Sequence, residues 1–164
     1  MNRQILSVLV DNQSGVLSRV AGLFSRRGYN IDSLSVGETE DPDVSRMTIV
    51  ARGDDATLEQ IKKQLNKLID VIKVVTLEPG DSVYRELLLV KVQTAAGNRA
   101  SISEIVDIFR AKIIDVAPQS MTVELTGDES KVNAFAQLMQ PYGIIEIVRT
   151  GLTALQRGDK DIKN

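Results

Sequence analysis

The sequence predicts an α+β chain of two tandem βαββαβ units, and three observations carry that prediction. First, Met47-Thr48-Ile49, Gly53-Asp54 and the helically spaced Leu58, Ile61 and Leu65 recur 74 positions later. The second copy reads Met121-Thr122-Val123, Gly127-Asp128, Val132, Phe135 and Met139. Second, Leu23-Phe24 leading to Ile31-Asp32 is echoed by Ile108-Phe109 leading to Ile114-Asp115, with the Ile-Asp pair offset by 83. The nine residues from Gly37 to Ser45, with their Gly, Pro and Asp content, account for the change of offset as a longer strand connector in the first copy. Third, each half alternates period-two runs with period-3.6 stripes in the same order. A length of 164 residues allows one ordinary domain or two small ones, and the repeat selects two.

In the first unit, Ile5 to Val10 is a β-rich run ending at the turn Asp11-Asn12-Gln13-Ser14-Gly15. Leu17, Val20, Ala21 and Phe24 then share one helix face, and the helix stops near Gly28. Tyr29 to Val36 and Arg46 to Arg52 are strands. Asp54 or Asp55 caps a second helix whose inner face carries Leu58, Ile61, Leu65 and Leu68. Val71 to Leu77 closes the unit, and the Pro79-Gly80 region is a linker.

In the second unit, Leu87 to Val92 is a strand, and Ser101-Ile102-Ser103-Glu104 has the spacing of a capping box. Ile102, Ile105, Val106 and Phe109 form the apolar stripe of its first helix. Ile113 to Ala117 and Met121 to Leu125 are strands either side of a turn at Pro118. Val132, Phe135 and Met139 face inward from the last helix, and Ile144 to Val148 is the last strand. Each unit is then a ferredoxin-like layer, a four-stranded antiparallel sheet with both helices on one face. Its other face, or its edge, needs cover, which predicts an oligomer. The residues after Gly151 read as a polar tail.

Composition narrows the function. A hydrophobic share of 43% supports a packed core, and the chain has no histidine, cysteine or tryptophan. A Ser-His-Asp triad, a thiol nucleophile, a Cys/His zinc site and a disulfide framework are thereby excluded. A net charge of -2 argues against a general phosphate-backbone binder. An RNA module of the same βαββαβ order needs stacking aromatics on its central strands, and Arg46 to Arg52 has none. The acidic residues around Asp41 and at Asp54-Asp55 read as solvated loop charge rather than a metal site. The N-terminus lacks the pattern of a secretory signal, and no apolar run is long enough to span a bilayer, so a cytoplasmic protein without a membrane partner is expected.

One loop could carry chemistry. Asn12 to Leu17 joins the first strand to the first helix, whose N-terminal amides suit a carboxylate or phosphate. Gly15 lets a ligand approach the backbone, and Asn12 adds an amide that donates and accepts. Across the sheet, Asn30 offers a second amide beside Ile31. The plainer reading makes Asn12 and Ser14 a turn and an N-cap, and on spacing alone that reading is the stronger. Aligning Phe24 with Phe109 puts Ala100 opposite Gly15 and leaves no asparagine opposite Asn30, where Ile113 sits. The asymmetry favours a site in the first unit. A phosphatase could be drawn on Asn12 to Leu17 with Arg19, but the loop lacks the glycines of a phosphate cradle.

The run Ile5 to Val20, with Gly22-Leu23-Phe24-Ser25-Arg26-Arg27-Gly28-Tyr29-Asn30-Ile31, closely resembles the start of the small regulatory subunits of acetolactate synthase (acetohydroxyacid synthase). Ser45 to Ile49, Gln64 to Val71, Arg85 to Val92, Phe109 to Val116 and Arg149-Thr150-Gly151 continue the likeness over nearly the whole chain. The resemblance implies an ACT domain over 1–78, a linker at 79–82, an ACT-like domain over 83–151 and the tail 152–164. It also implies a homodimer through the ACT domains that binds a catalytic large subunit, raises its activity and makes it sensitive to L-valine. Thiamine diphosphate, Mg and FAD would belong to that partner, and this chain would hold no cofactor, metal or catalytic residue. The effector would lie between Asn12, Gly15, Val16 and Leu17 of one protomer and Asn30 and Ile31 of the other. The rank order of valine, leucine and isoleucine stays open, as does an ACT sensor serving another amino-acid enzyme.

Overall fold

Alternating apolar residues make β1 (Asn2–Asp11) the centre of the first sheet, with Leu6, Val8 and Val10 buried on one side. α1 (Val16–Arg26) lays Val16, Val20, Leu23 and Phe24 on that side. β2 (Asn30–Glu38) and β3 (Val44–Gly53) follow, then α2 (Asp55–Lys67), which buries Leu58, Ile61 and Leu65, and β4 (Val71–Leu77). The strands are antiparallel in the order β2-β3-β1-β4, with both helices over one shared core. Each such buried aliphatic side chain contributes about 1.5–3 kcal/mol of burial. The structure is a computed structural model that describes residues 2–163. These fold as two units, one of residues 2–83 with 152–163 and one of Tyr84–Gly151.

The second unit repeats the plan. β5 (Ser82–Gln93), α3 (Arg99–Ile108), β6 (Lys112–Ala117), β7 (Ser120–Gly127), α4 (Glu129–Met139) and β8 (Ile144–Arg149) build a sheet of order β6-β7-β5-β8. Its core gathers Leu88, Val90, Val92, Ile102, Phe135 and Met139 with their neighbours. The repeat extends to the caps. Asp54 accepts from the Thr57 N–H at 2.7 Å, and Asp128 from the Lys131 N–H at 2.9 Å. Asp54, not Asp55, is therefore the cap of α2.

Both first helices end in the same motif. In α1 the Gly28 N–H reaches Ser25 O (3.2 Å) and the Tyr29 N–H reaches Phe24 O (2.9 Å), with Gly28 at φ 66°. The Tyr29 ring meets Phe24 edge-on at 6.2 Å, closing the motif with an apolar contact. In α3 the Arg110 N–H reaches Asp107 O (3.1 Å) and the Ala111 N–H reaches Val106 O (2.9 Å), with Arg110 at φ 55°.

Two expectations need correction. The spacing of Ser101 and Glu104 does not start α3: the Asn98 carbonyl already accepts from the Ile102 N–H at 3.1 Å, so Ser101 lies within the first turn. The polar tail is also structured. Thr153–Gln156 forms β9, which pairs with β5, and the Arg157 N–H donates to Asp81 O at 2.7 Å. The Leu152 N–H donates to Ser33 Oγ (3.1 Å), Ser35 Oγ donates to Leu152 O (3.0 Å), and Lys163 pairs with Glu40. Leu152, Ala154 and Ile162 are buried. Ser33 and Ser35 alternate with core-packed Leu34, so the tail lies on the sheet face opposite the helices. That face is itself buried at Ile5, Ser7 and Leu9. In the first unit the tail thus supplies cover that the sheet needs. Among the described residues, no helix is long and apolar enough to cross a membrane.

Candidate functional site

The β1–α1 loop is held by three hydrogen bonds from two sides. The Asp11 N–H donates to Asp70 O (2.9 Å) and the Asn12 N–H to Asp43 O (2.8 Å). Asn12 Nδ2 donates to Pro42 O (2.8 Å), tying the loop to the β2–β3 connector. Gly15 is the N-cap of α1 at φ 86°, a conformation that side chains disfavour, and no side chain caps the helix. A Cβ on Gly15 would stand 3.0 Å from Arg19 Nη1. Val16 is buried, whereas Leu17 is 46% exposed beside the loop.

Arg19 sits one turn into α1. Its Nε donates to Asp70 Oδ2 at 2.5 Å, and that bond raises the guanidinium above its ordinary pKa, so it stays charged. Half of the Arg19 side chain remains exposed, while Asp70 is buried. The loop therefore presents the start of α1 beside a fixed guanidinium, an arrangement suited to a carboxylate, while the Asn12 side chain is turned to Pro42 of the β2–β3 connector. The pairing of Arg19 with Asp70 joins residues 51 apart, so no local pattern announced it. The nearest sequence signal was the placing of Arg19 four residues after Gly15.

Asn30 and Ile31 lie elsewhere. Asn30 begins β2 and donates to Asp32 Oδ1 (3.0 Å), while Asp32 also pairs with Arg52 at 2.7 Å. Ile31 is half-buried against the core. In register, Asn30 faces Arg52 at the far end of β3, whereas Asp11 faces Val44 at its start. Eight strand positions separate the two places, roughly 27 Å at about 3.4 Å per residue. One chain does not bring the six residues together.

The second unit corrects the sequence alignment. Phe109 is the C-cap of α3, while Phe24 lies inside α1, so the two phenylalanines are not equivalent. Matching the helix starts places Asn98, not Ala100, opposite Gly15, and Gly97 just before it has φ 95°. This loop keeps a positive-φ glycine, displaced by one position, and an asparagine, displaced by three. The bulges of β2 and β6, after Ile31 and Ile113, likewise set Ile113 against Ile31 and Lys112 against Asn30. The absence of a second Asn30 therefore stands.

Comparison with known proteins agrees with this architecture. A family model for an AHAS small subunit-like ACT domain matches residues 6–73, and one for the small subunit of acetolactate synthase matches 85–158. A probable acetolactate synthase small subunit of Methanothermobacter thermautotrophicus is 55% identical over 157 residues, covering 95% of this chain and 94% of the relative. The acetolactate synthase small subunit of Haemophilus influenzae is 52% identical over 161 residues, covering 98% and 99%. The crystal structure of the small subunit from Thermotoga maritima superposes with a TM-score of 0.90 at 44% identity, covering 98% of this chain and all of that one. The two tandem ACT-type ferredoxin-like units and these relatives place the chain in the acetolactate synthase small-subunit family.

Proposed function

We propose that this chain senses valine for a catalytic acetolactate synthase subunit, raising its activity and making it subject to feedback inhibition. The observation that carries the reading is the separation of the two half-sites along β3. β2 is an edge strand, and among the described residues only β3 pairs with it. Antiparallel pairing of two β2 edges sets the start of one strand beside the end of the other. Asn30 and Ile31 of the partner then arrive at the end of the sheet that holds Asn12, Gly15, Val16 and Leu17.

The effector's carboxylate meets the first-turn amides of α1 and the Arg19 guanidinium, and asparagine oxygens receive its ammonium. Its short apolar side chain packs on Leu17 and Ile31. A ligand held by both protomers stabilises one geometry between them, and the catalytic subunit responds to that geometry. Coupling of this kind is typically worth about 1–3 kcal/mol, enough to inhibit without dissolving the complex. The pyruvate condensation and its cofactors, thiamine diphosphate, Mg and FAD, belong to the partner.

Complementation tests the arrangement. Gly15→Asp and Asn30→Ala should each abolish valine binding by calorimetry and relieve inhibition of the reconstituted enzyme. Mixed dimers of the two variants place both substitutions in one site and leave the other intact. Each mixed dimer should therefore regain one of its two valine sites, about a quarter of all sites when the two variants exchange subunits at random. Valine binding by either variant alone, or no recovery in mixed dimers, would overturn the shared site.

A further inference from the structure

We propose that the second unit carries an amino-acid site of its own, where β5 runs into α3. A cavity of about 730 Å³ opens there, within the range of small-molecule sites. Its wall includes Gln93, Thr94, Asn98, Gln119, Ser120 and Tyr142, and none of its lining side chains bears a formal charge.

Thr94 points to a ligand. It is 6% exposed, and its backbone N–H is satisfied by Gln119 O at 2.9 Å, yet its hydroxyl oxygen has no hydrogen-bond partner. A buried hydroxyl left in this way is costly, and a bound polar group removes the cost. The N-terminus of α3 supplies a complementary element. Asn98 is the N-cap residue of α3, but its side chain makes no capping bond, its Oδ1 accepting instead from the Ala95 N–H at 2.8 Å. The first-turn amides of α3 are left without a side-chain acceptor. Arg99 Nη2 bridges Ala117 O (2.7 Å) and Pro118 O (2.8 Å), fixing the β6–β7 turn beside this loop.

The wall selects the ligand class. Uncharged walls disfavour a ligand of net charge, because desolvation goes unreturned. A zwitterion with no net charge fits: its carboxylate goes to the α3 amides and its ammonium to hydroxyl and amide oxygens such as those of Thr94 and Gln119. This inference uses only residues of the second unit and stands apart from the valine reading of the first.

The test follows backbone amides of the 15N-labelled full chain, as parent and as Gly15→Asp, titrated with L-valine, L-leucine and L-glutamine in turn. At least one probe should give saturable shifts at residues 95–101 and 119–120 in both proteins. Thr94→Val should weaken that titration about tenfold. Its melting temperature without amino acid should equal or exceed the parent's, since the deleted hydroxyl was unpaired. Gln119→Ala, at an exposed position, gives a second variant that leaves the core untouched and should also weaken binding. Absence of saturable shifts there with all three probes overturns the proposal, as do shifts unaltered by both variants. Shifts confined to residues 12–17 of the parent would sink this site and leave the first reading standing.

Discussion

The two units share element order, sheet order and the caps of their second helices, yet they solve the same physical problems with different residues. The first sheet has its second face covered by the returning tail, with Leu152, Ala154 and Ile162 buried. In the second unit β6 is exposed from Lys112 to Val116 and β8 from Ile145 to Arg149. In each unit a close arginine–carboxylate pair ties together parts of the chain more than fifty residues apart. Arg149 forks onto buried Glu86 at 2.6 and 3.0 Å and also reaches Asn133 at 2.8 Å. Arg19 makes one bond to Asp70 and leaves the rest of its guanidinium open beside Gly15. A bidentate, fully engaged arginine is a structural clamp; a half-engaged one keeps donors for a ligand.

That contrast breaks most visibly under Arg149→Met. Glu86 is 4% exposed and would be left as an unpaired buried carboxylate. The loss should be about 2–3 kcal/mol, below the figure for a wholly buried pair because the Arg149 side chain is 35% exposed. Urea unfolding measures it. Arg19→Met should show the opposite balance, with a smaller change in midpoint and a larger loss of valine affinity. Equal effects of the two variants on the urea midpoint would erase the distinction drawn between the pairs.

Much of this architecture was legible in the chain because its strongest signals are periodic. The 74-residue offset survives folding: Asp54 and Asp128 cap their helices through the same third-residue amide. The alignment failed where the units differ by small shifts. Phe24 and Phe109 match as letters, but one is inside its helix and the other caps its helix, so the loop comparison slipped by two residues. The tail was illegible for another reason. Its apolar residues are few and set among charges, and their burial depends on a sheet face more than a hundred residues away in sequence. Arg19–Asp70 escaped in the same way, because pairing across 51 residues leaves no spacing to read.

The helix ends sharpen the comparison at smaller scale. Gly28 and Arg110 occupy the same left-handed position in the same motif, and Gly28 has no neighbour within 4 Å of a Cβ. The difference there is one of backbone conformation, which costs a non-glycine residue about 1–2 kcal/mol. Gly28→Ala should lower stability by about 1 kcal/mol, and Arg110→Gly should raise it by a similar amount. Opposite shifts in the denaturant midpoint would bear this out. A fall in both variants would mean that the Arg110 side chain contributes more than its backbone strain removes.

The smallest expected effect concerns what the units share. Thr57, through its side chain first and then its N–H, holds the Asp54 carboxyl below the usual carboxylate range, and the Lys131 N–H does the same for Asp128. A group whose folded pKa is depressed gives stability that is fully present above its unfolded pKa, about 3.9 for Asp. That contribution disappears as pH falls through the folded value, so stability should rise with pH across this acid window and then level off. Asn at either position still caps a helix but cannot titrate. The double variant Asp54→Asn, Asp128→Asn should therefore show a shallower acid limb in a series of urea melts, with little change at neutral pH. Each single variant should account for part of the flattening, since each carboxylate accepts from its own third-residue N–H. An acid limb unchanged in the double variant would place the acid sensitivity in other carboxylates, and unequal singles would show that the repeat's shared caps are energetically distinct.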